Sequence, residues 1–195
     1  MTVGGEVVSS TRVREALRSG DVARAATYLG RPFVVRGPVV RGAARGKGLG
    51  IPTANLALQP EQAYPGTGVY ACWAELADGR HKAVTNVGLR PTFDDGLPSP
   101  VVEAHLLDWE GDLYGREIGL AFVARLRDEQ RFPGREALVE QIGRDVQRTR
   151  ELLGSGMENE HPLRDPLRDA KRDAASASPA EPEGLGPEGP KRNAE

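Results

Sequence analysis

Between Phe33 and Arg127 the sequence is a series of short strand-like runs separated mostly by turn signals, with no helical stretch between them. No other feature constrains the fold as tightly. "FVVRGPVVRG" (33–42) is β-branched and broken by Gly37-Pro38, a bend or bulge within a strand. "GVYACWAEL" (68–76) and "HKAVTNVG" (81–88) join through Ala77-Asp78-Gly79-Arg80, and Asp-Gly between such runs predicts a hairpin. "VVEAHLLDW" (101–109) and "EIGLAFVARLR" (117–127) flank another turn, "EGDLYG". Consecutive strands without crossover helices predict an antiparallel sandwich or barrel. A small closed barrel is favoured, because closure removes open strand edges.

Helices flank this region. Residues 10–30 read as two short ones. Ser10 or Thr11 is expected to cap the first, whose Val13, Ala16 and Leu17 share a face. Asp21 is expected to cap the second and Gly30 to end it in the left-handed conformation. The pair has too little apolar surface to fold alone, so it must lean on something. Residues 135–153 form a longer helix with Leu138, Ile142 and Val146 as its apolar stripe and Val139 and Leu153 beside it. Glu136 and Glu140 come early and Arg148 and Arg150 late, the order that the helix dipole favours. From Gly154 the chain turns to Pro, Glu, Gly, Ser, Ala and Arg, and "SASPAEPEGLGPEGPKRNAE" cannot bury enough apolar surface to offset ordering. The expected division is a helical segment at 1–30, the barrel with its helix at 31–153, and a disordered tail at 154–195.

Charge and cysteine usage narrow the function class. A formal net charge of -2 gives no global pull toward nucleic acid or an anionic membrane. The single cysteine, Cys72, excludes an intrachain disulfide and fits a reducing cytoplasm. No apolar run approaches the roughly 20 residues that span a bilayer. The start, MTVGGEVVSSTR, has no apolar core of signal-peptide length. A soluble cytoplasmic protein is expected.

Several familiar sites fail on spacing. "GAARGKG" (42–48) has the look of a phosphate loop, but Arg41 stands where the first Gly belongs and Gly48 where Ser or Thr belongs. His81, His105 and His161 are far apart, and one cysteine makes no ordinary zinc site. No Gly-x-Ser-x-Gly elbow occurs.

Three segments carry candidate chemistry. "RGAARGKGLG" (41–50) is glycine-rich and basic through Arg41, Arg45 and Lys47. It reads as a solvated hairpin tip, as a flap whose backbone N–H groups and cations meet phosphates, or as an RNA-contacting loop. In "IPTAN" (51–55), Pro52 disfavours helical geometry at Ile51. If Thr53 and Asn55 are extended, their side chains leave one face about 7 Å apart. A hydroxyl and an amide oxygen in one space suit a hard cation such as Mg²⁺, or they bond their own loop backbone. In "VVEAHLLDW", period two sets Val102, Ala104 and Leu106 on one face and Val101, Glu103, His105 and Leu107 on the other. Glu103 reads as a solvent-side carboxylate or as a general base, a role that partial desolvation favours. His105 is its helper or a structural partner. The loop and strand-end aromatics Phe93, Trp109, Tyr114 and Phe132 read mostly as core.

Five blocks now stand in order: "GRPFVVRGPVVRGAARGKGLGIPTANL", "GVYACWAEL", "VTNVGLRPTF", "VEAHLLDWEGDLYG" and "RLRDEQRFPGREALVEQIGRDV". From Gly30 to Leu153 they closely resemble the riboflavin kinase module of bacterial bifunctional riboflavin kinase/FAD synthetases. The resemblance implies an ATP:riboflavin 5′-phosphotransferase on a six-stranded antiparallel Greek-key barrel. It implies that Pro52 to Asn55 grip Mg-ATP, with Thr53 and Asn55 on Mg²⁺ and the phosphates. The segment from Gly42 to Gly50, with Arg45, Gly46 and Gly48, would be the nucleotide flap. Glu103 would be the base for the ribityl 5′-hydroxyl, and Arg127 and Phe132 would help hold the isoalloxazine ring. Ile51 and Trp109 stand where the family pattern has Phe.

The resemblance also has an edge. Bifunctional members carry an N-terminal adenylyltransferase module with a His-containing nucleotide motif, and no histidine precedes His81 here. "SSTRVREALRSGDVARAATYLGRPF" is similar to the last segment of that module, so no FAD synthesis is expected. The competing class is a barrel that binds flavin or single-stranded nucleic acid without chemistry. A nucleic-acid barrel wants a basic surface and aromatic platforms, and this chain has a net charge of -2 and 5% aromatics. A dead remnant should have lost Thr53, Asn55 or Glu103, and all three are present.

Overall fold

The computed structural model describes residues 2–3, 6–42, 50–90 and 99–154. A two-residue pairing, β1 (Thr2–Val3) with β2 (Glu6–Val7), precedes two helices, α1 (Ser10–Arg18) and α2 (Val22–Leu29). Six strands follow: β3 (Phe33–Val40), β4 (Ala54–Leu56), β5 (Gly68–Leu76), β6 (Gly79–Arg90), β7 (Ser99–Leu106) and β8 (Glu117–Arg127). α3 (Arg135–Leu153) comes last among the described elements. The strands close into an antiparallel barrel in the order β3-β4-β7-β6-β5-β8, as expected for a small β protein that leaves no free edge.

Alternation along the strands fills the barrel. Val35 and Val39 of β3, Val102, Ala104 and Leu106 of β7, and Ile118, Leu120 and Phe122 of β8 all belong to one buried cluster. Tyr70 meets Phe122 edge to face there, with ring centroids 5.3 Å apart. The Gly37-Pro38 break in β3 has a steric cause. A Cβ on Gly37 would fall 2.3 Å from the Ala57 carbonyl oxygen, where the chain leaving β4 returns to bond Pro38. The β5–β6 hairpin turns through Ala77 and Asp78 alone, because Gly79 already pairs with Leu76.

The helix ends depart slightly from expectation. Ser9, not Ser10 or Thr11, caps α1, accepting from the Arg12 N–H at 3.3 Å. An extended Ser9 can offer its hydroxyl to the first turn, whereas Ser10 is already helical. Asp21 caps α2, and Gly30 ends it at φ 70°. The pair does lean on the barrel: Val22 joins the barrel's buried cluster, and the Gly66 N–H donates to the Leu17 carbonyl at 2.7 Å.

α3 lies along β5, β6 and β8. Its deepest positions are Asp145, Thr149 and Leu153, while Leu138, Ile142 and Val146 are half-buried and Val139 is exposed. The expected stripe is therefore on the packed face, but two polar residues take its centre. Asp145 is there to hold Arg127 of β8, with Nη2 to Oδ2 at 2.8 Å. At the other end of the helix Arg150 pairs with Asp108, just beyond β7, at 2.7 Å. These two ion pairs pin the helix across the outside of the barrel. Among the described residues no helix is long and apolar enough to cross a membrane.

Candidate active site

The β7 alternation read from sequence holds over the strand itself, which ends at Leu106. Val102, Ala104 and Leu106 are buried in the barrel, and Val101, Glu103 and His105 are half-buried on its outer side. On that side Glu103 is paired with Asn55 of β4 on one flank and with Asn86 of β6 on the other. Directly opposed residues carry their Cβ atoms about 4.5–5.5 Å apart. The three side chains thus form a polar row across adjacent strands. The Glu103 side chain is 32% exposed, and its Oε1 lies 3.9 Å from Nη2 of Arg90.

Asn55 is 8% exposed. Its amide packs against the backbone of Gly42, where a Cβ would fall 2.3 Å from both Cγ and Nδ2. Thr53 lies on the other side of Ala54, whose side chain enters the barrel cluster. The β4–β7 ladder pairs Ala54 with Ala104, Asn55 with Glu103, and Leu56 with Val102. One residue past that ladder, Nδ1 of His105 lies 2.9 Å from the Pro52 carbonyl oxygen. A carbonyl only accepts, so Nδ1 carries the proton in this contact.

Three cavities adjoin this part of the barrel: residues of the row line the first and the third, and the second shares Thr53 with the first. The first, about 380 Å³, is lined by Thr53, Asn86, Glu103, His105, Arg127, Glu129, Phe132, Leu138 and Ile142 among others. Four of the residues singled out in sequence, Thr53, Glu103, Arg127 and Phe132, therefore share one space. The second, about 270 Å³, is lined by Pro52, Thr53, Trp109, Leu113 and Tyr114 among others. The third, about 410 Å³, holds Asn55 and Gly42 with Arg41, Tyr64 and Arg90. Gly50 is exposed at φ 74° and lines none of these three. Arg45, Gly46 and Gly48 lie outside the described residues, as do Lys47, Phe93, His161 and the tail from 155 onward.

Arg127 is held more firmly than a purely ligand-binding arginine would be. Its Nε and Nη2 bond the Asp145 carboxylate, and Nη1 donates to the Asp128 carbonyl at 2.9 Å. Its guanidinium lies 5.7 Å from the Phe132 ring centroid, which seats that ring at the cavity edge. Of the described loop aromatics, none is fully buried: Trp109 and Phe132 are half-buried, and Tyr114 is 49% exposed beneath the Arg41 guanidinium. Trp109 packs against the barrel core, as expected, whereas Tyr114 and Phe132 depart from the core reading and line cavities at the barrel mouth and flank.

Sequence reasoning missed Asn86, Arg90, Glu129 and Asp145. Asn86 donates to Glu129 at 3.2 Å, tying the segment after β8 to the sheet. A signal existed for Asn86, since asparagine is depleted in strands and it interrupts "AVTNVG". For Glu129 and Asp145 there was none, because their partners come from distant strands. Among the described residues no group of three or more His, Cys, Asp or Glu could hold a metal ion. A cation near Thr53 and Asn55 would take a hydroxyl and an amide oxygen from the protein and the rest of its shell from water and phosphate.

Residues 29–153 match the family model described as "Flavokinase: Riboflavin kinase". The bifunctional riboflavin kinase/FMN adenylyltransferase of Bacillus subtilis is 38% identical over 148 residues, covering 75% of this chain and 47% of that protein. The protein of the same description from Pseudomonas fluorescens is 43% identical over 146 residues, covering 74% and 46%. A crystal structure described as a macrolide-efflux protein from Streptococcus pneumoniae superposes with a TM-score of 0.71 at 37% identity, covering 75% of this chain and 48% of that one. The chain spans about half the length of the curated relatives it matches. A closed antiparallel barrel, a flanking helix and a family match running through all of them have one reading: the chain belongs to the riboflavin kinase family.

Proposed function

We propose that this chain transfers the γ-phosphoryl group of ATP to the 5′-hydroxyl of riboflavin, giving FMN and ADP. The observation that carries the reading is the place of Thr53, which lines both the cavity of Glu103 and the cavity of Trp109 and Tyr114. Phosphoryl transfer asks for two substrates meeting in line at one point, with charge neutralised there. Two cavities that share one hydroxyl residue meet that demand.

The roles follow from what each wall offers. Phe132, Leu138 and Ile142 give the larger cavity apolar surface for a flavin ring. Glu103 stands in the same cavity to take the proton as the 5′-oxygen bonds phosphorus and the bond to the ADP oxygen breaks. Arg127 holds Phe132 and the 128–134 segment in place through Asp145. The smaller cavity, with Pro52, Trp109, Leu113 and Tyr114, suits a nucleobase. Gly42 and Gly50 bracket the segment that we assign, with Arg45, Gly46 and Gly48, as the cover over the nucleotide. Thr53 and Asn55 line different cavities, but a hydroxyl and an amide oxygen are donor types that a hard divalent cation takes; we propose that Mg²⁺ would draw on both and, when bound, neutralise phosphate charge.

The reading places residues 31–153 as the catalytic unit, residues 1–30 as its brace and 154–195 as a tail without a catalytic part. It puts the protein in the cytoplasm with riboflavin and ATP as partners, and assigns it no nucleic acid. The test is ADP release in a coupled assay, with and without riboflavin. Release that requires riboflavin supports the reading. A chain that binds riboflavin and leaves it unphosphorylated is instead a flavin-binding barrel.

A further inference from the structure

His105 is the point where the strand of the candidate base meets the segment of the candidate metal oxygens. The backbone ladder between β4 and β7 stops at Ala54 and Ala104. Beyond it, among the described residues, Thr53 has no strand partner, and the adjoining anchor is the bond from Nδ1 of His105 to the Pro52 carbonyl, 2.9 Å long. Proline has no N–H, so Pro52 cannot extend the ladder by donating. Its carbonyl is the remaining handle, and a side chain takes it where the backbone does not. His105 lies two residues from Glu103 on the same outer face of β7, and both line the cavity that Thr53 lines.

We propose that His105 is a positioning residue: its Nδ1–H bond to Pro52 sets the distance between the Thr53 hydroxyl and the Glu103 carboxylate. The inference rests on the kinase reading above and deepens it by naming what holds the Pro-Thr-Ala-Asn segment in register with the base. The ring is not assigned a proton transfer. A hydroxyl left one bond less constrained costs nucleotide affinity and alignment, while the flavin walls on α3 and the 128–134 segment stay as they are.

The test compares His105→Phe, His105→Asn and His105→Gln in the full chain. Two readouts are used: affinity for the magnesium complex of a non-hydrolysable ATP analogue by calorimetry, and affinity for riboflavin by quenching of flavin fluorescence. His105→Phe keeps a ring without a donor, and one neutral hydrogen bond lost should weaken the nucleotide complex about three- to tenfold. His105 also lines the flavin cavity, so riboflavin affinity serves as the comparison: it should change less than nucleotide affinity, and no differently in His105→Asn than in His105→Gln. Asn places its amide nitrogen near the position of Nδ1 and should restore nucleotide affinity; Gln places it one bond farther out and should not. Equal nucleotide affinity for wild type and His105→Phe overturns the proposal, as does a loss that Asn does not rescue or one shared equally by riboflavin. A wild-type chain that binds no magnesium nucleotide refutes the kinase reading, and this proposal with it. A wild-type chain that binds the nucleotide without turnover refutes only the kinase reading, and the affinity comparison still decides the role of His105.

Discussion

Asn55 and Glu103 face each other across the β4–β7 ladder, with Gly42 against the Asn55 amide and Arg90 within 3.9 Å of the Glu103 carboxylate. The residue proposed for metal and nucleotide and the residue proposed as base are thus neighbours by register rather than by loop conformation. Strand pairing is the stiffest way a small barrel can hold two side chains together, since shifting either by one residue would turn it into the core.

Replacing the base should separate chemistry from folding. Glu103 is half-exposed on the outer face, so Glu103→Gln should fold and bind riboflavin normally. Turnover should fall about 10²–10⁴-fold, the range a general base contributes. Steady-state kinetics beside a thermal melt checks both halves. An unchanged kcat would remove Glu103 from the chemistry.

Gly42 should tolerate no side chain. A Cβ there would meet the Asn55 amide at 2.3 Å, and Asn55 is too short and too buried to swing clear. Gly42→Ala is expected to raise KM for Mg-ATP several-fold, on the order of one lost hydrogen bond, with riboflavin KM little changed. Equal KM values for both substrates in the variant and the wild type would show that the contact is unimportant.

The Arg127–Asp145 pair should matter first for stability. The Asp145 side chain is 5% exposed and that of Arg127 20%, so removing the arginine leaves a carboxylate in a dry setting. Arg127→Met should lose about 3–5 kcal/mol in urea unfolding, the range for breaking a buried ion pair from one side. Flavin affinity should drop as well, because Phe132 loses its seat. A loss of less than about 1 kcal/mol, the value of an exposed pair, would place the pair on the surface in solution.

Cys72 gives a pH signature far from the site. Burial pushes its thiol from the ordinary 9.0 up to about 12, only partly offset by the neighbouring Thr85 hydroxyl. Above pH 9 the unfolded chain gives up a proton that the folded chain keeps. Stability carried by this group is therefore whole below pH 9 and falls as pH rises from there toward 12. Cys72→Ala should flatten that part of the stability profile, leaving the share due to Tyr70, which burial also raises. The native thiol should ignore aromatic disulfide reagents at pH 8 and react once unfolded. Prompt reaction of the folded protein would contradict the packing.

The barrel was legible because its signals are local. "GVYACWAEL" and "EIGLAFVARLR" match β5 and β8 residue for residue, and the β7 alternation separated Glu103 and His105 from Val102, without saying which face is the core. Glu103 and Thr53 could be named from motif and parity. What could not be read was which cavity each lines, since that depends on strands far apart in sequence. The α3 stripe shows the limit. Periodicity found the packed face, but Asp145 and Thr149 lie deeper than Leu138 and Ile142, and for Asp145 the reason is an arginine from β8 that needs a carboxylate there. Tyr114 and Phe132 show the same limit: a ring in a loop looks the same in sequence whether it packs on the core, as Trp109 does, or only lines a cavity.

The central claim is tested most directly by following the label from γ-³²P-ATP in the presence of Mg²⁺, riboflavin and the purified chain, with products separated by reversed-phase chromatography. The account expects label in FMN at its 5′-phosphate, one ADP formed for each FMN, and none of either without riboflavin. Bound riboflavin with no labelled FMN, from a folded chain that also binds Mg-ATP, would contradict it.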